Sequence, residues 1–240
     1  MNSTYRRFAW INLIGVLLSG LLFMWISRNG AVDFWIANLF FDSMTEQFPL
    51  RTSHGLIFWG YTVLKAITVW VLVLCTGLAI ASNWIAVLRP WRRVLTVFVV
   101  MAGIAAFVVQ MLKGASVHSC PWDINTFGGH AMWFPLFESV HSVTGPGRCW
   151  PGGHSSGGFA IIAAYFALRE SRRHLARWMF AIGMAFGVVM SLVQMVRGAH
   201  FLSHNLWSLW LVWATCFVID VVVHAGSARK IRRYKVGTYL

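Results

Sequence analysis

The chain has 240 residues and a formal net charge of +13, yet only 11% of its residues are charged. It is 58% hydrophobic with 14 Trp and 18 Phe, and its mean hydropathy is +0.64. This composition argues against a soluble globular protein, and the basic residues lie in short clusters beside apolar runs, which suits anionic lipid headgroups and argues against nucleic acid as a partner.

Apolar runs of roughly 18–20 residues are long enough to cross a bilayer core. In chain order the runs are Phe8–Ile26, Leu56–Ala81, Val94–Leu112, a shorter Ser155–Leu168, Met179–Val196 and Leu206–Val223. The expected fold is therefore all-α, a bundle of six transmembrane helices forming one domain over 1–240. The first run has no clean small-x-small site after it and reads as a retained helix rather than a signal peptide. Trp25 and Trp35 beside it read as interfacial anchors.

The connection 27–55 carries Asp33, Asp42 and Glu46, and its stretch Asp33–Phe41 is amphipathic enough to lie along the bilayer surface. No chemistry is read from it. Lys65 falls inside the second run, where an ammonium either serves a site or snorkels to the surface.

Basic residues alternate by loop. Arg6 and Arg7, then Arg89, Arg92 and Arg93, then Arg169, Arg172, Arg173 and Arg177, then Arg229 to Lys235 crowd one side, while Arg28, Arg51, Lys113, Arg148 and Arg197 are sparse on the other. The positive-inside rule places both termini in the cytoplasm, residues 226–240 forming a basic cytoplasmic tail. Loops 27–55, 113–154 and 197–205 then face outward, which in a bacterium is the periplasm. Loop 113–154 holds His118, Asp123, His130, Glu138, His141 and four of the six prolines. Its aromatic content predicts an ordered cap over the outer face. Cys120 and Cys149 share this oxidising side and are expected to form a disulfide, contributing roughly 3–4 kcal/mol in the chain-entropy picture. Cys75 and Cys216, inside spans, read as inert apolar residues.

Two clusters carry chemistry. In Pro151-Gly152-Gly153-His154-Ser155-Ser156 a proline and two glycines lead into a helix start, where unpaired N–H groups favour an anion, and His154 is placed to move a proton near neutral pH. In Gln194-Met195-Val196-Arg197-Gly198-Ala199-His200-Phe201-Leu202-Ser203-His204, Gln194 and Arg197 share a helical face. His200 and His204 would share one if a helix restarts there. Their spacing also admits a metal, as in H-E-x-x-H, though the Glu is missing. By the topology, Lys113, His154, Arg197 and His200 meet at one membrane surface. Two cations, a helix start and two histidines suit phosphoryl transfer. The cations neutralise nonbridging oxygens, one histidine attacks phosphorus, and the other protonates the leaving oxygen and then activates water.

The order and spacing resemble the type 2 phosphatidic acid phosphatase superfamily of integral membrane lipid phosphatases. Its motifs are Lys-x6-Arg-Pro, Pro-Ser-Gly-His and Ser-Arg-x5-His-x3-Asp. Lys113-x6-Cys120-Pro121 matches the first except at Arg, and Pro151-Gly152-Gly153-His154 the second except at Ser. Val193-Gln194-x5-His200-x3-His204 keeps the central His of the third. The resemblance implies His200 as the nucleophile that becomes phosphohistidine, His154 as general acid and base, and Lys113 as a phosphate ligand. Arg197, Gln194, Gly153, Ser155 and Arg148 are candidates for the remaining phosphate contacts. His204 stands where the family has the carboxylate that orients the nucleophile, and Asp123 is a second candidate for that task. No cofactor is implied. The expected partners are membrane lipids and a lipid phosphate or pyrophosphate: undecaprenyl pyrophosphate, phosphatidylglycerol phosphate, phosphatidic acid or lipid A. The expected location is a bacterial inner membrane, with the active site facing the periplasm. Phosphate transfer to a second lipid, a non-catalytic lipid-binding relative and a metal- or haem-binding protein built on His200 and His204 are the alternatives.

Overall fold

The computed structural model describes residues 3–138 and 145–237, with side chains to Gly226. His141 and the side chains of the basic tail beyond Gly226 lie outside the described residues. The described chain is all-α. Its helices are α1 (Ser3–Ser27), α2 (Ala31–Asn38), α3 (Leu64–Ala81), α4 (Arg92–Ala115), α5 (Gly153–Phe159), α6 (Ala163–Leu168), α7 (Arg173–Val196) and α8 (Leu202–Gly237). A π-helical segment, Leu56–Val63, leads directly into α3. Among the described residues no strand forms, only isolated bridges at Asp42–Gln47 and Ile124–Ala131.

Five of these segments are long and apolar enough to cross a membrane: Ser3–Ser27, Leu56–Ala81, Ala86–Ala115, Arg173–Val196 and Leu202–Gly226. The expected short run Ser155–Leu168 is instead built of α5, a 3-10 turn at Ala160–Ile162, and α6. It is sheathed by α4, α7 and α8, and most of its side chains are buried. Close approach makes the sheath possible. A Cβ on Gly158 would lie 2.8 Å from the backbone of Gly187 on α7, so the two helices meet through hydrogens. The outer helices show apolar residues outward, among them Leu17, Leu18, Leu21 and Trp25 on α1 and Trp70 and Leu74 on α3. That distribution suits lipid rather than water.

The two ends of the bundle are held differently. At one end Arg169 donates to both oxygens of Asp220, at 3.0 and 2.9 Å, and the Tyr5 hydroxyl donates to the same carboxylate at 3.0 Å. The Arg169 guanidinium also lies 3.9 Å from the Phe8 ring centre. This buried charge is thus paired and hydrogen-bonded, the condition under which a carboxylate is tolerated there. The first turn of α1, the end of α6 and the middle of α8 therefore share this end.

At the other end the Ser27 hydroxyl accepts from Trp207 Nε1 at 3.0 Å, and two long connections pack over a second aromatic core of Phe48, Ile124, Phe127 and Phe201. Here the structure gives α2 a task that its sequence did not show. Asp33 is buried, accepts the Ser203 N–H at 2.8 Å and also takes the Ser203 hydroxyl. It thereby caps the first turn of α8 from 170 residues away. Burial raises its pKa to about 6, against the lowering effect of the Ser203 bonds. Asp33→Ala leaves that N–H and hydroxyl unpaired. We expect it to cost about 1–3 kcal/mol, read as a lower thermal unfolding midpoint in detergent. An unchanged midpoint would show that the cap contributes nothing.

Candidate active site

At the capped end a cavity of about 590 Å³ opens between α3, α4, α5 and the α7–α8 turn. Lys113, Gly153, His154, Gln194, Arg197 and His200 line it, with Tyr61, Lys65, Thr68, Gln110, Cys120, Trp122 and Ser156. No Asp or Glu lines it, and among the described residues no carboxylate lies within 4 Å of Lys65, Lys113 or Arg197. The cavity is thus lined by cations with no carboxylate to offset them, which favours an anion.

Each wall follows from local chemistry. Lys113 closes the last turn of α4, and its side chain lies over Gly153, where an added Cβ would come within 3.1 Å of Cδ. Arg197 caps α7, donating to Gln194 Oε1 and to the Arg51 carbonyl, both at 3.3 Å. The chain then turns at Gly198, whose φ of +73° and contact with the Phe48 ring leave no room for a side chain. That turn delivers His200 into the cavity just before α8 begins.

His154 is held by α3 as much as by its own helix. Its ring stacks on Tyr61 at 4.7 Å, and Nε2 donates to the Gly60 carbonyl at 3.2 Å. A carbonyl only accepts, so Nε2 carries the proton and Nδ1, which has no partner, keeps its lone pair. Burial pushes the His154 pKa down to about 4, with the charges of Lys65 and Arg197 adding to the effect. His200 is 8% exposed. Burial, then the Lys113 charge, lowers its pKa to about 3. Both rings are neutral at pH 7, and an approaching anion would favour their protonated forms.

The expected disulfide is present: Cys120 and Cys149 are bonded. Cys149 Sγ lies 3.3 Å from His200 Nδ1 and 3.1 Å from the Ala199 carbonyl. The bridge therefore forms the floor beneath His200. Cys120, Cys149 and His200 also group within 4.8 Å, as metal ligands do, but sulfurs bonded to each other are not thiolates, and the set does not fit a metal.

Four expected site residues are not brought to the cavity. His204 meets the His200 ring edge-on, with ring centres 5.8 Å apart, but it does not line the cavity: it lines a separate small polar pocket with Asp33, Ser27 and His118. Its Nδ1 has no partner. His200 precedes α8 while His204 lies within it, so the two rings touch without sharing a helical face and open to different pockets. Asp123 accepts from the Trp122 indole at 3.0 Å instead of reaching His200. Ser155 is fully buried and donates to the Gly152 carbonyl, while its neighbour Ser156 faces the cavity. Arg148 is exposed at the loop surface, with a φ of +54°. In the other direction, Tyr61, Thr68 and Gln110 were not expected at the site. The sequence leaves Lys65 open between a site residue and a snorkelling lysine; it is exposed and lines the cavity.

The PAP2 superfamily model matches residues 93–226, from the first turn of α4 to the last residue of α8 whose side chain is described. The chain belongs to the PAP2 superfamily. Neither a curated relative nor a solved structure matches it. Members of this superfamily are generally phosphatases, so membership supports phosphatase- or phosphotransferase-type activity on lipid phosphate at a coarse level, in a membrane family to which the long apolar helices conform. The matched stretch includes Lys113, His154, Arg197 and His200 and leaves out Tyr61, Lys65 and Thr68.

Proposed function

We propose that this protein is a membrane lipid phosphatase that works through a phosphohistidine, on a lipid phosphomonoester or diphosphate in the outer leaflet. The observation that carries the reading is the meeting of His154 and His200 with Lys113 and Arg197 in one cavity without a carboxylate. The α5–α6 run reaches from this cavity to Arg169 at the Asp220 end, which supports a sixth crossing. With six crossings both termini lie on the basic, cytoplasmic side, and the cavity opens to the periplasm of a bacterial inner membrane.

In the reaction, Lys113, Arg197 and Gln194 bind nonbridging oxygens. His200, its Nδ1 turned to the disulfide, attacks with the Nε2 lone pair. A P–N bond forms as the P–O bond to the lipid breaks, and the leaving oxygen takes a proton from His154. The negative charge of the bound phosphate is what allows His154 to hold that proton despite its low pKa. The neutral His154 then accepts a proton from water as its oxygen attacks phosphorus, the P–N bond breaks, and phosphate leaves.

The test is phosphate release by the purified protein in detergent with chelator present, on undecaprenyl pyrophosphate, phosphatidylglycerol phosphate, phosphatidic acid and lipid A. We expect release from at least one. Silence on all four from folded protein, with and without a second lipid as acceptor, overturns the reading.

A further inference from the structure

We propose that Lys65 is a phosphate-binding residue of this site, a third cation that makes up for the charge Cys120 does not supply. The inference rests on the reading of the cavity as a phosphate site. Lys65 belongs to α3, outside the stretch matched by the superfamily and outside all three motifs. It nevertheless lines the same cavity as Lys113, His154, Arg197 and His200.

Three features converge on an anion beside it. First, the Lys65 ammonium lies 5.6 Å from the Tyr61 ring centre and the Arg197 guanidinium lies 5.8 Å from the same ring, which stacks on His154. The two cations thus flank one aromatic ring next to a histidine of the site. Second, no carboxylate among the described residues pairs with Lys65, Lys113 or Arg197, so three like charges surround one chamber. Lys65 is exposed at the cavity wall, so an anion that enters is attracted by all three charges with no carboxylate to offset them. Third, an ammonium within a span is tolerated where it faces a polar cavity or a partner, and the cavity is what this one faces. The charge of Lys65 is also felt at His154, whose pKa it helps to lower.

The position that carries Arg in the first family motif is Cys120, and its side chain is committed to the disulfide. An ammonium donates up to three charge-assisted hydrogen bonds to phosphate oxygens, so a lysine from a neighbouring helix replaces the lost charge without restoring the motif.

The experiment compares wild type, Lys65→Met and Lys65→Arg, all purified in detergent and matched for thermal unfolding. Two readouts are taken: calorimetric binding of inorganic phosphate, and KM and kcat on whichever lipid phosphate is turned over. We expect Lys65→Met to weaken phosphate binding and raise KM by about 10-fold or more, and Lys65→Arg to restore both to within about threefold. If wild type turns over lipid and Lys65→Met matches it in KM and phosphate binding, the Lys65 assignment falls and the phosphatase reading stands. If no lipid is hydrolysed but Lys65→Met loses phosphate binding, the assignment stands and the catalytic reading falls. If wild type itself binds no phosphate, the assignment falls.

Discussion

Replacing His200 by Ala is expected to lower phosphate release by at least about 10³-fold, because the substitution removes the atom that bonds to phosphorus. The cavity offers no evident substitute. His154 donates Nε2–H to Gly60 and is stacked on Tyr61, and His204 lines a different pocket. Stability should change far less, since His200 precedes α8 and its side-chain partners are a disulfide sulfur at 3.3 Å and the edge-on His204 ring, neither of them a charged pair. The measurement pairs turnover with acid-stable and acid-labile phosphate on the protein after rapid quenching. A phosphohistidine is acid-labile and should be present in wild type and absent in His200→Ala. Residual activity within tenfold of wild type would move the nucleophile elsewhere.

The second large effect is expected from the Cys120–Cys149 bridge. It spans 29 residues of sequence and joins the strand-like exit from α4 to the entry of α5. Around it the Cys149 N–H donates to the His118 carbonyl at 2.9 Å, and the Gly152 N–H donates to the His204 carbonyl at 3.0 Å. The bridge therefore holds one segment against both α4 and α8 while its sulfur lies against His200. Opening it should release about 3–4 kcal/mol of chain-entropy stabilisation. It should also loosen the His200 ring. We expect Cys149→Ser, or reduction confirmed by thiol titration, to lower kcat by about 10–100-fold with a much smaller change in KM, since Lys113, Arg197 and Gln194 remain. Full activity with both thiols demonstrably free would show that the bridge has no part in positioning His200.

Much of this was legible in the chain. Apolar length set the long helices, because a backbone in hydrocarbon must satisfy its own hydrogen bonds and so forms helix along the whole run. Alternating basic loops then put the ends of α4, α5 and α7 on one side, which brings Lys113, His154, Arg197 and His200 together without any knowledge of packing. The disulfide followed from the same reasoning. What the linear pattern could not carry was rotation and long-range pairing. Ser155 and Ser156 differ by one residue, about 100° around a helix, and only the packing of α5 against α7 and α8 decides that Ser156 faces the cavity. His200 and His204 have helical spacing, yet the break between Val196 and Leu202 puts them in different pockets. The π-helical segment Leu56–Val63 reads like any apolar helix. Its phase nevertheless aims the Gly60 carbonyl and Tyr61 at His154, and α3 then turns Lys65 to the cavity. Asp33 looked like a surface residue of an amphipathic stretch, and only the fold shows it buried against Ser203. Composition and the alternation of basic loops indicated which residues gather at one end of the bundle. The tertiary structure decided which of them share a cavity, because helix phase and contacts between distant segments depend on packing that no local spacing records.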